Sequence, residues 1–159
     1  MRIFMLGVLA LYLCTALASA QTIRGCMPLS SASGKDFEHI MSVVAESWNR
    51  NDARSASECF TDDALYSSPP SLRIREGRRS LFEFFGGGHG RHRRMHMEWH
   101  HLIFDQAQQV GTGEYTFTYN VKTHGIVIVK LRDGLISNWR EYEIESPLPW
   151  KQLVGKNQF

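Results

Sequence analysis

The chain has 159 residues, a formal net charge of +2 and 43% hydrophobic residues. These values suit one globular domain with its own core and leave little room for a second domain. The nearly neutral charge argues against a general polyanion partner, so no nucleic-acid binding is expected.

The N-terminus has the pattern of a secretory signal peptide. Arg2 supplies a positive charge, residues 3–18 are almost wholly apolar, and Ala18-Ser19-Ala20 is the small-x-small pattern that signal peptidase reads. We therefore predict a signal peptide over residues 1–20 and a secreted or periplasmic protein. Because the apolar run is shorter than the ~20 residues that cross a bilayer, we expect no stable membrane anchor after cleavage.

The segment after the signal peptide is predicted to be a linker, residues 21–34, because it is polar and contains Ser, Gly and Pro. Two cysteines remain in the exported chain, Cys26 and Cys59. In an oxidising compartment they can form one disulfide that ties this segment to the second helix, or they can stay as two thiols. Both alternatives stay open, since the sequence does not show whether their Cα atoms lie within the ~7 Å that a disulfide requires.

Three helices are predicted in the first half of the chain. A Ser-x-x-Asp capping pattern opens residues 33–48, whose apolar positions repeat with the 3.6-residue period. Asp52 can cap a second, shorter helix over residues 52–60, and residues 67–71 form an extended loop because of their prolines. A third helix is predicted over residues 77–85, where three glycines stop it.

From residue 95 the pattern changes to strands rich in β-branched and aromatic residues. Between the last two strands, Asp133-Gly134 predicts a two-residue type I′ hairpin turn. Helices followed by antiparallel strands indicate an α+β fold with the helices on one face of a sheet. The predicted strands are Met95–Phe104, Val110–Val121, Gly125–Leu131 and Leu135–Ile144.

Several short motifs resemble those of SnoaL-like proteins in the nuclear-transport-factor-2-like superfamily. Their order and spacing cover about residues 36–144. The motifs are Trp48-Asn49-Arg50-Asn51-Asp52, Cys59-Phe60-Thr61-Asp62-Asp63-Ala64, Arg75-Glu76-Gly77-Arg78, Asp133-Gly134-Leu135-Ile136 and Trp139-Arg140-Glu141-Tyr142.

The resemblance implies a cystatin-like cone over residues 35–146, followed by a C-terminal extension, residues 147–159. In such a cone, three N-terminal helices pack in the concavity of a strongly curved, mostly antiparallel sheet. The resemblance also implies a pocket for a small hydrophobic molecule and a homodimer, and we expect no cofactor. Because a fold does not fix a function, two hypotheses follow. One is an acid/base enzyme of isomerase, cyclase, dehydratase or hydrolase type, and the other is a non-catalytic ligand-binding or assembly module.

The catalytic positions of such enzymes are matched only in part. The aspartate base of ketosteroid isomerases is matched by Ser68, which is not a carboxylate. One aspartate of limonene-epoxide hydrolases is matched by Glu141, but their Arg-x-Asp pair falls on Tyr115 and Phe117. SnoaL-type cyclases carry an acid/base residue near a Thr-His segment, and Thr123-His124 lies at a similar place in this chain.

The predicted hairpin supplies an independent argument. A regular ladder from its turn pairs Ile126 with Glu141 and His124 with Glu143, all on one face of the sheet. An imidazole beside a carboxylate between apolar walls suits proton transfer, so His124 and Glu141 are the predicted catalytic residues, although such pairs are also ordinary sheet contacts. The predicted substrate-binding residues are Trp48, Tyr66, His100, Tyr115 and Trp139.

A stretch of Gly, His and Arg covers residues 86–96. His92, His96 and His100 are four residues apart, so they could bind one metal ion together only on a helix. On the predicted strand, residues four apart are separated by ~13 Å, which is too far for one zinc ion. We therefore predict no metal site. The stretch is expected to be either a mobile basic lid that admits an anionic ligand or a plain solvated loop.

Overall fold

The computed structural model describes residues 25–69, 71 and 73–158, so the predicted signal peptide lies outside the described residues. Helices and strands combine in one α+β unit, as predicted. No helix in the described ranges is long and apolar enough to cross a membrane. The helices are α1 (Gly34–Asn49), α2 (Ala53–Glu58), α3 (Arg78–Phe85) and α4 (Trp150–Val154). The strands are β1 (Phe60–Ser67), β2 (Ile74–Glu76), β3 (His96–Asp105), β4 (Val110–Thr118), β5 (Lys122–Arg132) and β6 (Leu135–Glu145).

Helix α1 begins at the predicted capping pattern. The Ser33 hydroxyl accepts a hydrogen bond from the Asp36 backbone N–H, and the Asp36 carboxylate accepts one from the Ser33 backbone N–H. These two bonds satisfy backbone donors that the first turn of a helix leaves unpaired. The apolar stripe of the helix, from Phe37 to Trp48, is buried against the sheet.

The sheet has six strands in the order β2-β1-β6-β5-β4-β3. Strand β1 runs parallel to β6, and all other neighbours are antiparallel. Strands β1 and β2 were not predicted from the sequence. The second helix was predicted to reach Phe60, but it ends at Glu58, and Phe60 already belongs to β1. Strand β1 carries no clean period of two, because its burial comes from the neighbouring β6 and α3, which are distant in sequence.

The turn between β5 and β6 confirms the predicted hairpin at its tip. Asp133 and Gly134 both have positive φ angles, and Arg132 faces Leu135. The predicted register beyond the tip is wrong, however. A β-bulge at Ser137 adds one residue to β6, so Leu131 pairs with Ile136 but Lys130 pairs with Asn138.

This shift changes which side chains share a face. Glu141 lies opposite Val127 instead of Ile126, and His124 lies opposite Ile144 instead of Glu143. Val127 is fully buried, whereas Ile126 is 43% exposed. The bulge therefore directs the smaller valines of β5 and the residues around Glu141 into the core.

Part of the outward face of the same two strands is apolar. It carries Ile126, Ile128, Tyr142 and Ile144, which are exposed in the single chain. For the homodimer that the family resemblance implies, this face, rather than the buried one, offers an apolar surface. The homodimer stays a prediction.

The described part of the predicted linker is fixed to the domain at several points. The Leu29 backbone N–H donates to the carbonyl of Asp133 at the hairpin tip, and the side chain of Gln109 bonds both backbone groups of Ala32. Cys26 forms a disulfide with Cys59, which decides between the two alternatives left open above. A disulfide is typical of oxidising compartments, so it agrees with export, which stays a prediction.

We expect reduction of the Cys26–Cys59 disulfide to lower the free energy of unfolding by ~3–4 kcal/mol. The reason is that the bond closes a loop with a sequence separation of 33 residues and so restricts the unfolded chain. Denaturant unfolding of the wild type with and without reductant measures the effect. The double variant Cys26→Ala/Cys59→Ala is the control and should not respond to reductant. An unchanged unfolding midpoint of the reduced wild type would contradict the prediction.

Candidate active site on the inward face of the sheet

A cavity of about 390 Å³ lies between the inward face of the sheet and the helices. This volume is near the lower end of the ~300–1,000 Å³ that is usual for small-molecule sites. The buried end holds a carboxylate and two tyrosines, the middle is aromatic, and the solvent-exposed end carries arginines. The lining residues are Trp48, Tyr66, Ser68, Ser71, Arg73, Arg75, Phe84, Phe85, Arg91, Met95, Tyr115, Phe117, Tyr119, Glu141 and Glu143.

Glu141 is the carboxylate at the buried end, and only 7% of it is exposed. The Tyr66 hydroxyl donates to its Oε1 at 2.6 Å. The Trp139 indole N–H and the Tyr115 hydroxyl both donate to its Oε2, at 2.8 Å and 3.3 Å. A buried carboxylate thus receives three neutral donors and faces no arginine or lysine within ion-pair distance among the described residues.

The sheet register explains how Tyr66 reaches this carboxylate. Tyr66 in β1 is level with Trp139 in the parallel strand β6, and their rings stack with centroids 5.7 Å apart. Glu141 follows Trp139 by two residues, so its side chain lies on the same face of β6. The stacked ring of Tyr66 consequently ends with its hydroxyl against Glu141.

Tyr115 reaches the site because its cross-strand partner is a glycine. In the ladder, Gly125 lies between Tyr115 on β4 and Glu143 on β6. A Cβ atom on Gly125 would lie 2.5 Å from the Tyr115 ring, so any larger residue there would displace the ring. Across this gap the Tyr115 hydroxyl also contacts Glu143 at 3.1 Å, in addition to its contact with Glu141.

Burial dominates the titration of the site. It raises the pKa of Glu141 to about 7, although the hydrogen bonds from Tyr66, Trp139 and Tyr115 act in the opposite direction. Burial beside Glu141 also raises the pKa of Tyr66 and that of Tyr115 well above the usual range of a phenol. Near neutral pH, Glu141 therefore exchanges a proton readily while both tyrosines remain hydrogen-bond donors.

His124 and His100 lie away from this cavity, on the other face of the sheet. The His124 ring shares hydrogen bonds with the Thr116 hydroxyl at 2.9 Å and with the carbonyl of Leu148 at 2.9 Å. His100 contacts the same Thr116 hydroxyl at 2.7 Å, and its ring stacks on Trp150 of α4. Burial lowers the pKa of His100. The two histidines thus hold the C-terminal segment, and the structure does not bring His124 together with Glu141.

The other predicted site residues lie at the cavity. Trp48, Tyr66 and Tyr115 line it. Trp139 is not a lining residue, but its indole N–H donates a hydrogen bond to Glu141. The indole N–H of Trp48 is buried and has no hydrogen-bond partner among the described residues.

Glu143, Arg73, Arg75 and the aromatic residues of α3 line the cavity but were not predicted as site residues. Arg75 belongs to one of the SnoaL-like motifs, but its position at the site depends on β2, which was not predicted. In the Gly/His/Arg stretch, only Arg91 and Met95 line the cavity. Among the described residues, no three His, Cys, Asp or Glu side chains are grouped so that they could hold a metal ion.

Comparisons with known proteins agree with this architecture. Residues 42–139 match the family described as "SnoaL-like domain". No curated protein sequence matches the chain.

Similar solved structures share the fold at low sequence identity. An NTF-2 like protein of unknown function from Burkholderia xenovorans LB400 has a TM-score of 0.62 and 16% identity, over 79% of this chain and 96% of that one. The epoxide hydrolase/cyclase-like enzyme SalBIII, which has a role in pyran ring formation in polyether salinomycin, has a TM-score of 0.59 and 20% identity. The match covers 69% of this chain and 91% of that one. An LEH-like epoxide hydrolase from M. tuberculosis has a TM-score of 0.57 and 15% identity, and the match covers 70% of this chain and 84% of that one.

We expect the stability of the protein to fall as the pH rises from about 5 to about 8. The pKa of Glu141 is higher in the folded state than in the unfolded chain, so its protonation stabilises the fold at low pH and this contribution is lost as pH passes through about 7. The loss is on the order of 3 kcal/mol. Denaturant unfolding across this pH range measures it. Glu141→Gln should lack this component, and an equal pH dependence in wild type and variant would contradict the assignment.

Gly125→Ala should destabilise the protein by ~1–3 kcal/mol, because the new methyl group must displace the Tyr115 ring. Gly88→Ala is the matched control: a Cβ there meets nothing within 4 Å, and we expect a change of at most ~1 kcal/mol. Thermal unfolding and a crystal structure of the Gly125 variant check both points. An undisturbed Tyr115 ring with both carboxylate contacts intact would refute the prediction.

Proposed function

The chain belongs to the SnoaL-like domain family, and we propose that it is a cofactor-independent acid/base enzyme that acts on a small hydrophobic substrate. One observation carries the proposal: Glu141 is buried at the inner end of an aromatic cavity, and its pKa is raised to about 7. A general base or acid is most effective when its pKa lies near the working pH. Titratable groups whose pKa is shifted inside a pocket are enriched at catalytic sites.

Glu141 and Tyr66 can cooperate in one proton transfer. As a carboxylate, Glu141 takes a proton from a C–H beside a carbonyl or from a nucleophilic hydroxyl, which belongs to the substrate in a cyclisation and to water in a hydrolysis. Once protonated, it donates to the Tyr66 oxygen 2.6 Å away, so the phenol proton is free to turn toward negative charge that develops on the substrate. The carboxyl returns its proton in the second half of the reaction.

The hydrogen bonds from the surrounding residues position this carboxylate. The Trp139 N–H fixes Oε2, and Tyr115 lies between Glu141 and Glu143. The geometry thus supports isomerisation, cyclisation, dehydration or hydrolysis, all of which require one proton to be removed and one to be delivered. Two of the structural neighbours are an epoxide hydrolase/cyclase-like enzyme and an LEH-like epoxide hydrolase, so opening of an epoxide is a sensible first reaction to assay.

His124 has no part in this mechanism. The register that set it beside the carboxylates does not exist, and its ring is engaged with Thr116 and Leu148 on the other face. The competing hypothesis, a non-catalytic ligand-binding or assembly module, is kept as an outcome of the test below.

We expect Glu141→Gln to lower kcat by ~10²–10⁴-fold for any substrate that the wild type turns over, because the amide cannot transfer the proton. A panel of epoxides and unsaturated ketones identifies such a substrate. The wild-type rate should also show a pH limb near 7 that is missing from the residual activity of the variant.

Glu145→Gln is the matched control, since it removes an exposed carboxylate of the same strand outside the cavity. It should leave the rate unchanged. Full activity of Glu141→Gln would exclude Glu141 as the proton-transfer group. Binding of panel compounds without turnover by the wild type would favour the non-catalytic module.

A further inference from the structure

Three arginines line the solvent-exposed end of the cavity. Arg75 belongs to β2, Arg73 directly precedes this strand, and Arg91 follows the glycine-rich turn after α3. The guanidinium carbons of Arg75 and Arg91 lie 3.7 Å and 5.1 Å from the centre of one ring, that of Phe84. Two positive charges are therefore held against the same aromatic side chain at the cavity entrance.

Both guanidinium groups are positioned by the fold. Arg75 is the direct cross-strand partner of Tyr66, so its side chain shares the inward face of the sheet. Arg91 donates from Nη2 to the carbonyl of Phe84, and its backbone N–H and carbonyl are both bonded by the side chain of Asn51. These contacts indicate that Arg75 and Arg91 form a fixed site rather than a pair of solvated side chains.

None of these arginines has a carboxylate within ion-pair distance among the described residues. The arginines that do form such pairs, Arg50, Arg78 and Arg132, bond to acids elsewhere on the surface. Glu143, an exposed carboxylate that also lines the cavity, accepts hydrogen bonds from the neutral hydroxyls of Tyr115 and Thr123 and forms no ion pair with these arginines. Unpaired positive charges gathered at a half-buried entrance create a potential that attracts an anion.

A short aromatic path joins this entrance to the buried carboxylate. The ring of Phe84, which carries the two guanidinium groups, lies 5.5 Å from the ring of Tyr66. The Tyr66 hydroxyl in turn contacts Glu141. A ligand that spans the cavity thus meets positive charge at one end, aromatic rings in the middle and the proton-transfer group at the other end.

We propose that the substrate is amphipathic, with an oxyanion head group, carboxylate or phosphate, held by Arg75 and Arg91 and an apolar body about one ring long that reaches toward Glu141. Guanidinium groups suit this role because they present paired N–H donors to carboxylate and phosphate oxygens. Arg73, which is more exposed, adds to the attraction at the entrance. The identity of the reacting end rests on the function proposed above, whereas selection of the anionic head does not.

Three probes that share a phenylpropyl body and differ in the head group test the proposal: 4-phenylbutyrate, its neutral amide 4-phenylbutyramide, and 3-phenylpropyl phosphate. Isothermal titration calorimetry at neutral pH measures their affinities for the wild type, Arg75→Gln, Arg91→Gln and the control Arg93→Gln. Arg93 has the same charge and lies in the same segment, but it is exposed and outside the cavity. Since Arg91→Gln also loses the bond to Phe84, Arg75→Gln provides a second variant, and thermal unfolding confirms that each is folded.

We expect the wild type to bind at least one anionic probe about tenfold or more tightly than the amide, and we expect this affinity advantage to become smaller at high salt. The affinity advantage of the anionic probe should fall in Arg75→Gln and Arg91→Gln and persist in Arg93→Gln. Comparison of phenylbutyrate with the phosphate identifies which head group the site prefers. Equal affinity for all three probes, no binding of any probe, or an advantage unchanged in both cavity variants would overturn the proposal.

The variant Glu141→Gln separates this inference from the proposed function. It should keep the preference for the anionic probe, because its arginines are unchanged. A retained preference together with full turnover by Glu141→Gln would defeat only the catalytic assignment. Loss of turnover in that variant, with no preference of the wild type for either anionic probe over the amide, would defeat only the anion site.

Discussion

The extra residue at the bulge in β6 is the constraint on which the site depends. Without it, the hairpin ladder would place Glu141 opposite Ile126 and turn the wrong set of β5 side chains inward. With it, Glu141 lies opposite the fully buried Val127, and Trp139 lies beside Tyr66 of the parallel strand β1. Since side chains alternate along a strand, one inserted residue reverses the face of everything that follows. The bulge therefore creates the contact between Tyr66 and Glu141.

Burial of Glu141 has opposite consequences for stability and for chemistry. Three neutral donors compensate only part of the loss of hydration, so the charged form remains unfavourable and the pKa is raised. A structural core would be more stable at neutral pH with an uncharged side chain in this place. A carboxylate that is half protonated near neutral pH is, however, what proton transfer requires. The folded protein is therefore less stable in the pH range where the proposed reaction would run.

The cavity is polar at both ends and aromatic between them. Its buried end can exchange a proton, while its entrance holds the unpaired guanidinium groups of Arg75 and Arg91. Phe84 connects the two ends, because it contacts both arginines and the ring of Tyr66. An elongated ligand with one charged end would fit in a single orientation, which is how a small site can position a reacting atom. On the outer face, His100 and His124 instead secure the C-terminal helix.

Local patterns in the sequence determined several elements of this protein. The capping pair and the apolar stripe predicted α1, the glycines ended α3, and Asp133-Gly134 predicted the turn, because each depends on neighbours within a few residues. The motifs predicted the family, and three residues predicted for the site, Glu141, Tyr66 and Tyr115, line the cavity.

Only the tertiary structure decided the rest. No local pattern in the sequence indicated the bulge at Ser137, and the register shift that it makes between β5 and β6 places His124 on the face opposite to that of Glu141. Strand β2 is three residues long, so nothing in its composition indicated that Arg75 would stand beside Tyr66. The disulfide was likewise left open by the sequence, because the distance between two cysteines is a property of the folded chain.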